Sequence, residues 1–517
     1  MYRNTPNPDQ QTLLFEDFQH PFGIKLNPNN RWVKLAEIIP WQDYEEHYAR
    51  QLSHSKGAPA LSFRTALGSL IIKEMLGLSD RATVEQISEN PYLQFFIGLP
   101  SFQIEVPFNH SMFSHFRKRI SMDLIQSLNE TIVLESAVEE NENSQNKTKI
   151  NDDHSDNDRD NIQTDEKSTI APEAPPEHVN QGKLLLDATC APSDIRYPTD
   201  LSLLDEAREK TEMIIDVLWG HAKKHPAELK PRTYRIKARK QALSVLRKKR
   251  CSKTEIRKAI RQQLEHVQRN LNSINDLKAR VDLRVLSRRL YQNLLVVAEL
   301  QRQQKEMYKQ GKKSIANRIV SISQPHVRPI VRGKAASPVE FGAKISVSDV
   351  DGFVYLDRLE WEAYHEGEDL IIQAEAYRRR FGFFPLSIHA DKAYQTRSNR
   401  SWCKERGIRL SGPKLGRPPV ETQENLELIK KERQIQRQDE IDRIEIEGKF
   451  GVAKRRYGLG RIMAKLRVSA QTMVALPLFV MNLEKILRDL FCFIFHLVIF
   501  ILIQRSLSQK NYNYSVL

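Results

Sequence analysis

Cysteine is scarce in this sequence, with four residues in 517, and no two of them form a Cys-x-x-Cys pair. Because no histidine cluster has the spacing of metal ligands either, the sequence indicates neither a disulfide framework nor a zinc site. The first twenty residues are polar and lack the basic and then apolar segments of a secretory signal peptide. We therefore expect a reduced protein that stays in the cytoplasm. The four cysteines are Cys190, Cys251, Cys403 and Cys492.

Long hydrophobic runs are nearly absent. The longest covers residues 490–503 and is interrupted by His496. A membrane-spanning helix needs about 20 apolar residues, so this run is too short for one. We predict a buried or oligomer-facing helix in a C-terminal piece over residues 481–517, and no association with a membrane. The alternative is a membrane anchor, which predicts a protein that needs detergent to stay in solution.

Acidic residues are outnumbered, with 65 Asp and Glu against 80 Lys and Arg, which gives a formal net charge of +15. The length corresponds to roughly three domains, and 40% hydrophobic residues suffice to bury their cores. This excludes a wholly disordered or fibrous chain. Residues 221–270 hold 17 Lys and Arg against 3 Glu, too few acids for ion pairs between helix turns. The segment predicts contact with a polyanion, with a solvated helix face as the alternative.

Residues 1–138 are predicted to form a helical N-terminal domain. Apolar residues spaced by three and four indicate its best helix over 62–76, and shorter helices are predicted over 83–88, 91–96 and 111–120. The last of these ends in the basic residues Arg117, Lys118 and Arg119. The pattern is compatible with a helix-turn-helix-like unit that binds DNA. An ordinary helical bundle with a solvated basic end is the alternative.

The composition changes abruptly over residues 139–180. This segment has 12 acidic and 4 basic residues, no aromatic residue, and the Pro-rich stretch Ala171–Glu177. It is predicted to be a disordered acidic linker. Residues 181–480 follow as a second domain, which contains a helical insertion over about 205–316 with apolar residues spaced by three and four between Ile256 and Leu277.

The rest of the second domain alternates strands with helices, so an α/β fold is predicted. Strands are expected over 338–350, 353–361 and 385–389, a further strand that ends in Asp187 is expected within 183–189, and helices are expected over 369–381 and 421–450. The pair Asp351-Gly352 suits the two-residue turn of a β-hairpin, because both positions need a positive φ.

Three acidic residues stand out from this pattern: Asp187 and Asp391 at the ends of two predicted strands, and Glu447 on a helix. Each has an ordinary explanation, since Asp favours turns and Glu on a charged helix is usually exposed. Together, two carboxylates at the ends of adjacent strands and one from a helix predict an oxygen-rich pocket for two Mg²⁺ ions. Such a pair of ions stabilises the attacking and the leaving oxygen in phosphodiester displacement.

The order strand-Asp, hairpin, helix, strand-Asp, helix-Glu resembles the RNase H-like core of the DDE transposases of bacterial insertion sequences. A large group of these carries Tyr-x2-Arg-x3-Glu-x6-Lys around the third acid, and Arg443, Glu447 and Lys454 have those spacings. Asp391 and Tyr394 fit the motif Asp-x-(Gly/Ala)-(Tyr/Phe) around the second acid. The sequence departs from the group at the Tyr position, which is Glu440.

The resemblance implies an RNase H-like mixed β-sheet core with a long helical insertion, preceded by an all-α domain that binds the ends of the element. It implies a polynucleotidyl transferase and endonuclease in which Asp187, Asp391 and Glu447 hold two Mg²⁺ ions, with Mn²⁺ as a substitute. A cut at the element's end would release a 3′-hydroxyl, which the same site joins to target DNA.

Further expectations concern the partner molecules. Double-stranded DNA, as terminal inverted repeats and as target, would be the partner of a homodimer at the bacterial nucleoid. Arg443 and Lys454 would contact phosphate, Arg455 and Arg456 would extend a basic strip, and Tyr394 would pack beneath Asp391 or stack on a flipped base. The alternatives are an RNase H-like nuclease that stops at hydrolysis, and a catalytically decayed DNA-binding protein derived from a transposase.

Overall fold

The structure is a computed structural model. It describes residues 18–20, 23, 25–52, 59–151, 179–225, 227–331, 339–416, 422–423 and 425–514, and for residues 137–151 and 494–514 it describes the backbone alone.

Among the described residues, seven helices form the N-terminal part. Local signals set their ends: the Ser62 side chain accepts from the Thr65 N–H at the start of α3, and Gly77 ends that helix with a φ of 64°. Their apolar faces, with Phe63, Phe96 and Phe113 fully buried, form one core. The helices are α1 (Arg31–Ile38), α2 (Trp41–Ala49), α3 (Phe63–Leu76), α4 (Asp80–Glu89), α5 (Pro91–Phe96), α6 (Met112–Arg119) and α7 (Met122–Asn151).

Helix α7 crosses the boundary that the sequence predicts at residue 138, and its backbone continues to Asn151. Residues 137–151 contain neither proline nor glycine, so nothing in their sequence ends a helix there. The predicted linker therefore begins inside a helix, which corrects its N-terminal limit. Its residues 152–178 lie outside the described part of the chain.

The predicted helical insertion consists of four helices, and it begins at Asp200, a few residues before the predicted start. Two capping boxes explain where its helices begin, one at Thr199 with Ser202 and one at Ser252 with Glu255. The fully buried Arg208 pairs with Asp205 and Glu212 inside the insertion, each at 2.7 Å. The helices are α8 (Asp200–Ala222), α9 (Arg235–Leu246), α10 (Lys253–Lys278) and α11 (Arg288–Gln310).

A mixed six-stranded sheet forms the second domain, as the α/β prediction requires. Strand β3 pairs antiparallel with β1 on one side and with β2 and β4 on the other, and β1, β5 and β6 run parallel. The β3–β4 turn has the predicted positive φ, 51° at Asp351 and 80° at Gly352. The strands are β1 (Lys183–Pro192), β2 (Arg328–Val331), β3 (Val339–Val350), β4 (Phe353–Glu360), β5 (Ser387–Ala390) and β6 (Arg409–Leu410).

The remaining helices are α12 (Leu370–Phe381), α13 (Arg397–Glu405), α14 (Leu426–Arg456) and α15 (Arg467–Tyr514). Helix α14 packs on β1 and β5, and α15 packs on β4 and on the N-terminal helices. The Asn482 amide of α15 donates to the Val354 carbonyl and to the side chain of Asn129 on α7, both at 2.8 Å. These contacts join the N-terminal helices to the sheet.

Helix α15 is continuous through residue 481, where the sequence predicts a separate C-terminal piece. The predicted apolar run 490–503 therefore extends a helix whose earlier turns are already in the core. Its part Arg467–Phe493 is long and apolar enough to cross a membrane, but 83% of the most apolar window is buried within the protein. Burial of this kind is what a core helix shows, so the finding is weak evidence for a membrane span.

Candidate active site

The first predicted acid, Asp187, lies within β1 rather than at its end. The strand continues to Pro192 because residues 187–192 still pair with β3, with Asp187 opposite Val347. The parallel pairing of β1 with β5 ends with Leu186 opposite Ala390. Asp187 and Asp391, which directly follow this last pair, therefore lie side by side. The prediction that the first strand ends at Asp187 was wrong.

Asp391 follows β5 directly, as the sequence predicts. It begins a single 3₁₀ turn, Lys392–Tyr394, and its Oδ1 accepts the Lys392 N–H at 2.6 Å. The Asp391 side chain is half exposed. A short strand that stops at this residue leaves the carboxylate at the sheet edge, where a ligand can reach it.

Glu447 lies on α14, and Arg443 lies one helical turn before it. Arg443 Nη2 donates to Glu447 Oε1 at 3.2 Å, and Arg443 Nη1 is 3.9 Å from Asp391 Oδ1. The guanidinium of Arg443 thus lies between the second and the third acid. Arg443 and Glu447, four residues apart on the helix, thus form an ion pair.

A cleft of about 680 Å³ brings the three acids together. The residues with charged side chains in its lining are Asp187, Asp391, Glu447, Arg443 and Lys454, all predicted from the sequence, and Glu366 and Lys344, which were not. Glu366 lies in the acidic stretch after β4, where no spacing distinguishes it from its neighbours. Only the folding of that stretch toward Asp391 reveals it.

Glu366 and Lys344 form an ion pair in the cleft, with 2.9 Å between Oε1 and Nζ. Lys344 Nζ also donates to the Tyr364 carbonyl at 2.8 Å. The turn of Glu366 is fixed against the turn of Asp391, because the buried Asn399 amide donates to the carbonyls of Gly367 and Tyr394 at 2.7 and 2.8 Å. The fourth carboxylate therefore has a defined position beside the other three.

The electrostatics of the cleft set Asp187 apart. Burial raises the pKa of Asp187 to about 6, against the lowering effects of the Ala188 N–H and Arg443, and the nearby carboxylates of Glu366 and Glu447 raise it further. A buried carboxylate among other carboxylates favours a bound cation. Within the described residues, no three acidic, histidine or cysteine side chains are close enough together to hold a metal ion as they stand.

The basic residues at the end of α14 separate into two groups. Lys454 lines the cleft and its Nζ donates to Thr189 Oγ1 at 3.0 Å. Arg456 pairs with Glu484 of α15 at 2.8 Å, and Arg455 is exposed with its Nε bound to the Gly451 carbonyl. Neither of these two lines the cleft. The predicted strip from Lys454 to Arg456 is thus broken, because successive helix residues point about 100° apart.

Tyr394 is fully buried and does not reach the surface. Of the two predicted roles, packing beneath Asp391 agrees with this burial. Stacking on a base does not, because the described conformation offers no ring face to DNA. Burial and the nearby carboxylates of Glu366 and Asp187 raise the pKa of Tyr394 far above its usual range.

The basic end of α6 is also divided. Arg117 makes a bidentate ion pair with Asp80 of α4, at 2.9 and 2.7 Å. Arg119 is half-buried and Lys118 is exposed. Of the three predicted DNA contacts, Arg117 is thus occupied inside the N-terminal domain, and Lys118 is the one presented to solvent.

An ionic cluster around the buried Asp439 holds α14 against the sheet. Arg409 of β6 donates to both carboxylate oxygens of Asp439, at 2.7 and 2.8 Å. His389 Nδ1 of β5 lies 3.3 Å from the same carboxylate. Asp439 is two turns before Glu447 on α14 and next to Glu440, which occupies the position of the missing Tyr. The cluster fixes the helix of Glu447 relative to the strand that leads to Asp391.

Comparisons with known proteins agree with this geometry. A family model described as "Transposase DDE domain" matches residues 388–484, which include Asp391, Arg443, Glu447 and Lys454. A second model, "Transposase domain (DUF772)", matches residues 21–119.

The chain is also 32% identical over 222 residues to a protein of Rhizobium meliloti described as "Uncharacterized protein ORF8 in nfe locus". The match covers 43% of this chain and 87% of the relative. No solved structure matches the chain. The fold and the matched domains define a transposase. Within that class, the chain belongs to the DDE transposases of insertion sequences.

Proposed function

We propose that this protein cuts DNA at the ends of its insertion sequence and joins the released 3′-hydroxyl to target DNA at the cleft of Asp187, Asp391 and Glu447. One observation carries the proposal: three acids separated by 204 and 56 residues in the sequence line one cleft with Arg443 and Lys454. The mixed sheet, with β1 between the antiparallel β3 and the parallel β5, supports an RNase H-like core.

The chemistry of the donor set fits two divalent cations, Mg²⁺ or its substitute Mn²⁺. Asp187, Asp391 and Glu447 offer only oxygen ligands, which hard cations prefer. Burial, and to a lesser extent the carboxylates of Glu366 and Glu447, raise the pKa of Asp187, and a bound cation would offset this penalty on its charged form. When bound, the ions would lower the pKa of an attacking water and stabilise the charge that develops on the phosphate.

The chain's own cations would hold the DNA strand in the cleft. Arg443 presents a planar set of donors that matches two phosphate oxygens, and it lies beside both Asp391 and Glu447. Lys454 and Lys344 approach the cleft from α14 and β3. These side chains would orient the scissile phosphate and would offset its charge.

The partners in this proposal are the terminal inverted repeats and the target DNA, both double-stranded. A homodimer would bring two ends together in a protein associated with the bacterial nucleoid. The N-terminal helices would bind the ends, with Lys118 as the exposed basic residue of α6. Phosphate contacts position the protein, and base contacts from residues still to be found would give specificity.

The proposal is tested by measuring the cleavage and joining of a labelled duplex that carries the element's terminal repeats. Asp391→Ala should abolish both Mg²⁺-dependent activities and retain DNA binding. Glu440→Ala is the matched control, because Glu440 is an exposed acid on α14, the helix of Glu447, and lies outside the cleft. The control should cleave and join at the wild-type rate.

Three outcomes would contradict the proposal. Wild-type protein that cuts but never joins is a nuclease. Wild-type protein that binds the repeats and neither cuts nor joins is a decayed DNA-binding protein. Equal losses in Asp391→Ala and Glu440→Ala would mean that the cleft has no special role.

A further inference from the structure

The turn between α9 and α10 concentrates positive charge. Five of the seven residues from position 247 to 253 are basic, and all five are exposed. The structure pairs one of them with a described carboxylate: Lys248 lies 2.9 Å from Glu255. We call this group of residues the basic turn: Arg247, Lys248, Lys249, Arg250 and Lys253.

The basic turn lies next to the catalytic cleft. A second cavity of about 770 Å³ separates the insertion from the edge of the sheet, and Lys248 and Lys249 line it opposite Phe341 of β3. Val331, at the end of β2, lines both this cavity and the catalytic cleft. A strand that leaves the cleft past Val331 therefore meets the basic turn.

The chemistry of the second cavity suits a sugar-phosphate backbone. Lys313 adds a further cation to its lining, and the charge of Asp200 is balanced by Arg318 at 2.7 Å. Its floor is largely apolar and includes Tyr197 edge-to-face with Phe341. Cations above an apolar floor offer partners for phosphates and for sugars.

We infer that the basic turn is a docking surface for the DNA backbone beside the catalytic cleft, and this inference rests on the proposed function. This inference places part of the basic segment 221–270 beside the cleft. Helix α10 has 26 residues and spans about 39 Å, and the residues of this helix that line the second cavity, Ile256 and Ile260, are near its N-terminal end. The basic residues at its other end lie about 39 Å away, roughly 11 base pairs along a duplex, and they line neither cavity.

That distance supplies a matched control. Arg284, Arg288 and Arg289 are exposed at the distal end of the insertion. The test compares the triple variant Arg247→Gln, Lys249→Gln, Arg250→Gln with the triple variant Arg284→Gln, Arg288→Gln, Arg289→Gln. Both lose three positive charges from the full-length chain, so a net-charge effect would be the same in each.

Binding of a fluorescent 40-base-pair duplex is measured between about 50 and 300 mM salt, without divalent cation so that no cleavage occurs. The logarithm of the association constant falls linearly with the logarithm of the salt concentration, and each lost phosphate contact reduces the steepness of this fall by about 0.9. The steepness for the basic-turn variant should therefore be smaller by roughly 2 to 3. Its affinity at about 0.1 M salt should fall at least tenfold. The distal variant should keep the wild-type slope.

Equal slopes in wild type and the basic-turn variant would overturn the inference, as would equal decreases in both triple variants. Thermal melting of each variant separates a lost contact from a misfolded chain. The Lys249→Gln single variant, with an expected slope change of about 0.9, keeps the test decisive if the triple variant misfolds.

Because the measurement is binding, its failure is distinct from failure of the proposed function. A changed slope in a protein that never cleaves would leave the docking surface standing and overturn the catalytic proposal. Cleavage by the wild type together with an unchanged slope in the basic-turn variant would support the catalytic proposal and overturn the docking surface.

Discussion

Lys454 Nζ donates a hydrogen bond to Thr189 Oγ1 at 3.0 Å, and so joins α14 to β1. Lys454 lies seven residues after Glu447, and Thr189 lies two residues after Asp187. The helix of the third acid and the strand of the first are therefore connected beside the cleft. Arg456, two residues further along the helix, pairs instead with Glu484.

This difference predicts unequal effects of two similar substitutions. Lys454→Met should lower the rate of DNA cleavage by a factor of ten or more, because it removes a cation and a donor from the cleft. Arg456→Met should leave the rate within about twofold, since Arg456 does not line the cleft and pairs instead with Glu484. Single-turnover cleavage at saturating protein measures both, and equal losses would place Arg456 on the DNA as well.

The ionic cluster around the buried Asp439 predicts a loss of stability when this carboxylate is removed. Asp439→Asn leaves Arg409 without its carboxylate, and because Asp439 is buried but the Arg409 side chain is 44% exposed, the free energy of unfolding should fall by about 1.5–3 kcal/mol. Lys183→Met removes the partner of Asp442 from a pair whose lysine is mostly exposed, and should cost about 1 kcal/mol or less. Urea denaturation compares the two. A small effect of Asp439→Asn would show that packing alone holds α14.

Two glycines near the acids predict opposite results on substitution. A Cβ at Gly367 would lie 2.6 Å from the Ala393 carbonyl oxygen, so Gly367→Ala must separate the turns of Glu366 and Asp391. We expect cleavage to fall at least tenfold, because small displacements in an active site have large effects on rate.

Gly448, the residue after Glu447, is the control for this experiment. It is on a helix and has no neighbour within 4 Å of an added Cβ. Gly448→Ala should keep activity and stabilise the protein by about 1 kcal/mol, through helix propensity. Loss of activity in both variants would mean that the cleft tolerates no change in its backbone, whatever the contacts.

Asp349 predicts a pH dependence of stability. Its side chain is fully buried, one oxygen accepts the Gly352 N–H at 2.9 Å, and burial raises the pKa to about 7. A raised pKa means that the folded state binds the proton more tightly than the unfolded state. The resulting stability is complete below about pH 4 and is lost as the pH rises through 7.

Asp349→Asn removes this dependence and can still accept from Gly352. The variant should exceed the wild type by roughly 1–3 kcal/mol at pH 8 and match it near pH 4. Denaturant unfolding at both pH values is the measurement. A constant difference across this range would exclude Asp349 as the titrating group.

Divalent cations should stabilise the folded protein through the carboxylates of the cleft. At pH 7.5, Mn²⁺ should raise the melting temperature of the wild type, because a ligand that binds only the folded state stabilises it. Asp187→Asn should lose most of this rise, whereas Glu440→Gln should retain it. A rise that both variants share would place the cation elsewhere.

The elements of the fold followed from local signals in the sequence. Ser62 and Gly77 bound α3, Asp351-Gly352 forms the β-hairpin turn, and β5 ends directly before Asp391. Such signals act between residues close in the chain, so they can be read without tertiary structure. The predicted ends that were wrong, at the far end of α7 and within β1, lie where the sequence has no such signal.

The sequence by itself predicted the acids that line the cleft, through the spacing of Arg443, Glu447 and Lys454 and the strand before Asp391. Only the tertiary structure decided which further side chains join them. Pairing of β1 with β3 and β5 brings Lys344 into the cleft, and the Asn399 contacts bring Glu366 there.

Tertiary packing also buries or pairs residues that the sequence predicts to contact DNA. Tyr394 is buried under the cleft, Arg117 is paired with Asp80, and Arg456 is paired with Glu484. A basic or aromatic residue has the same local pattern whether it meets DNA or another part of its own chain. Which of the two it meets depends on residues distant in sequence that share its surface, and only the packed fold brings those together.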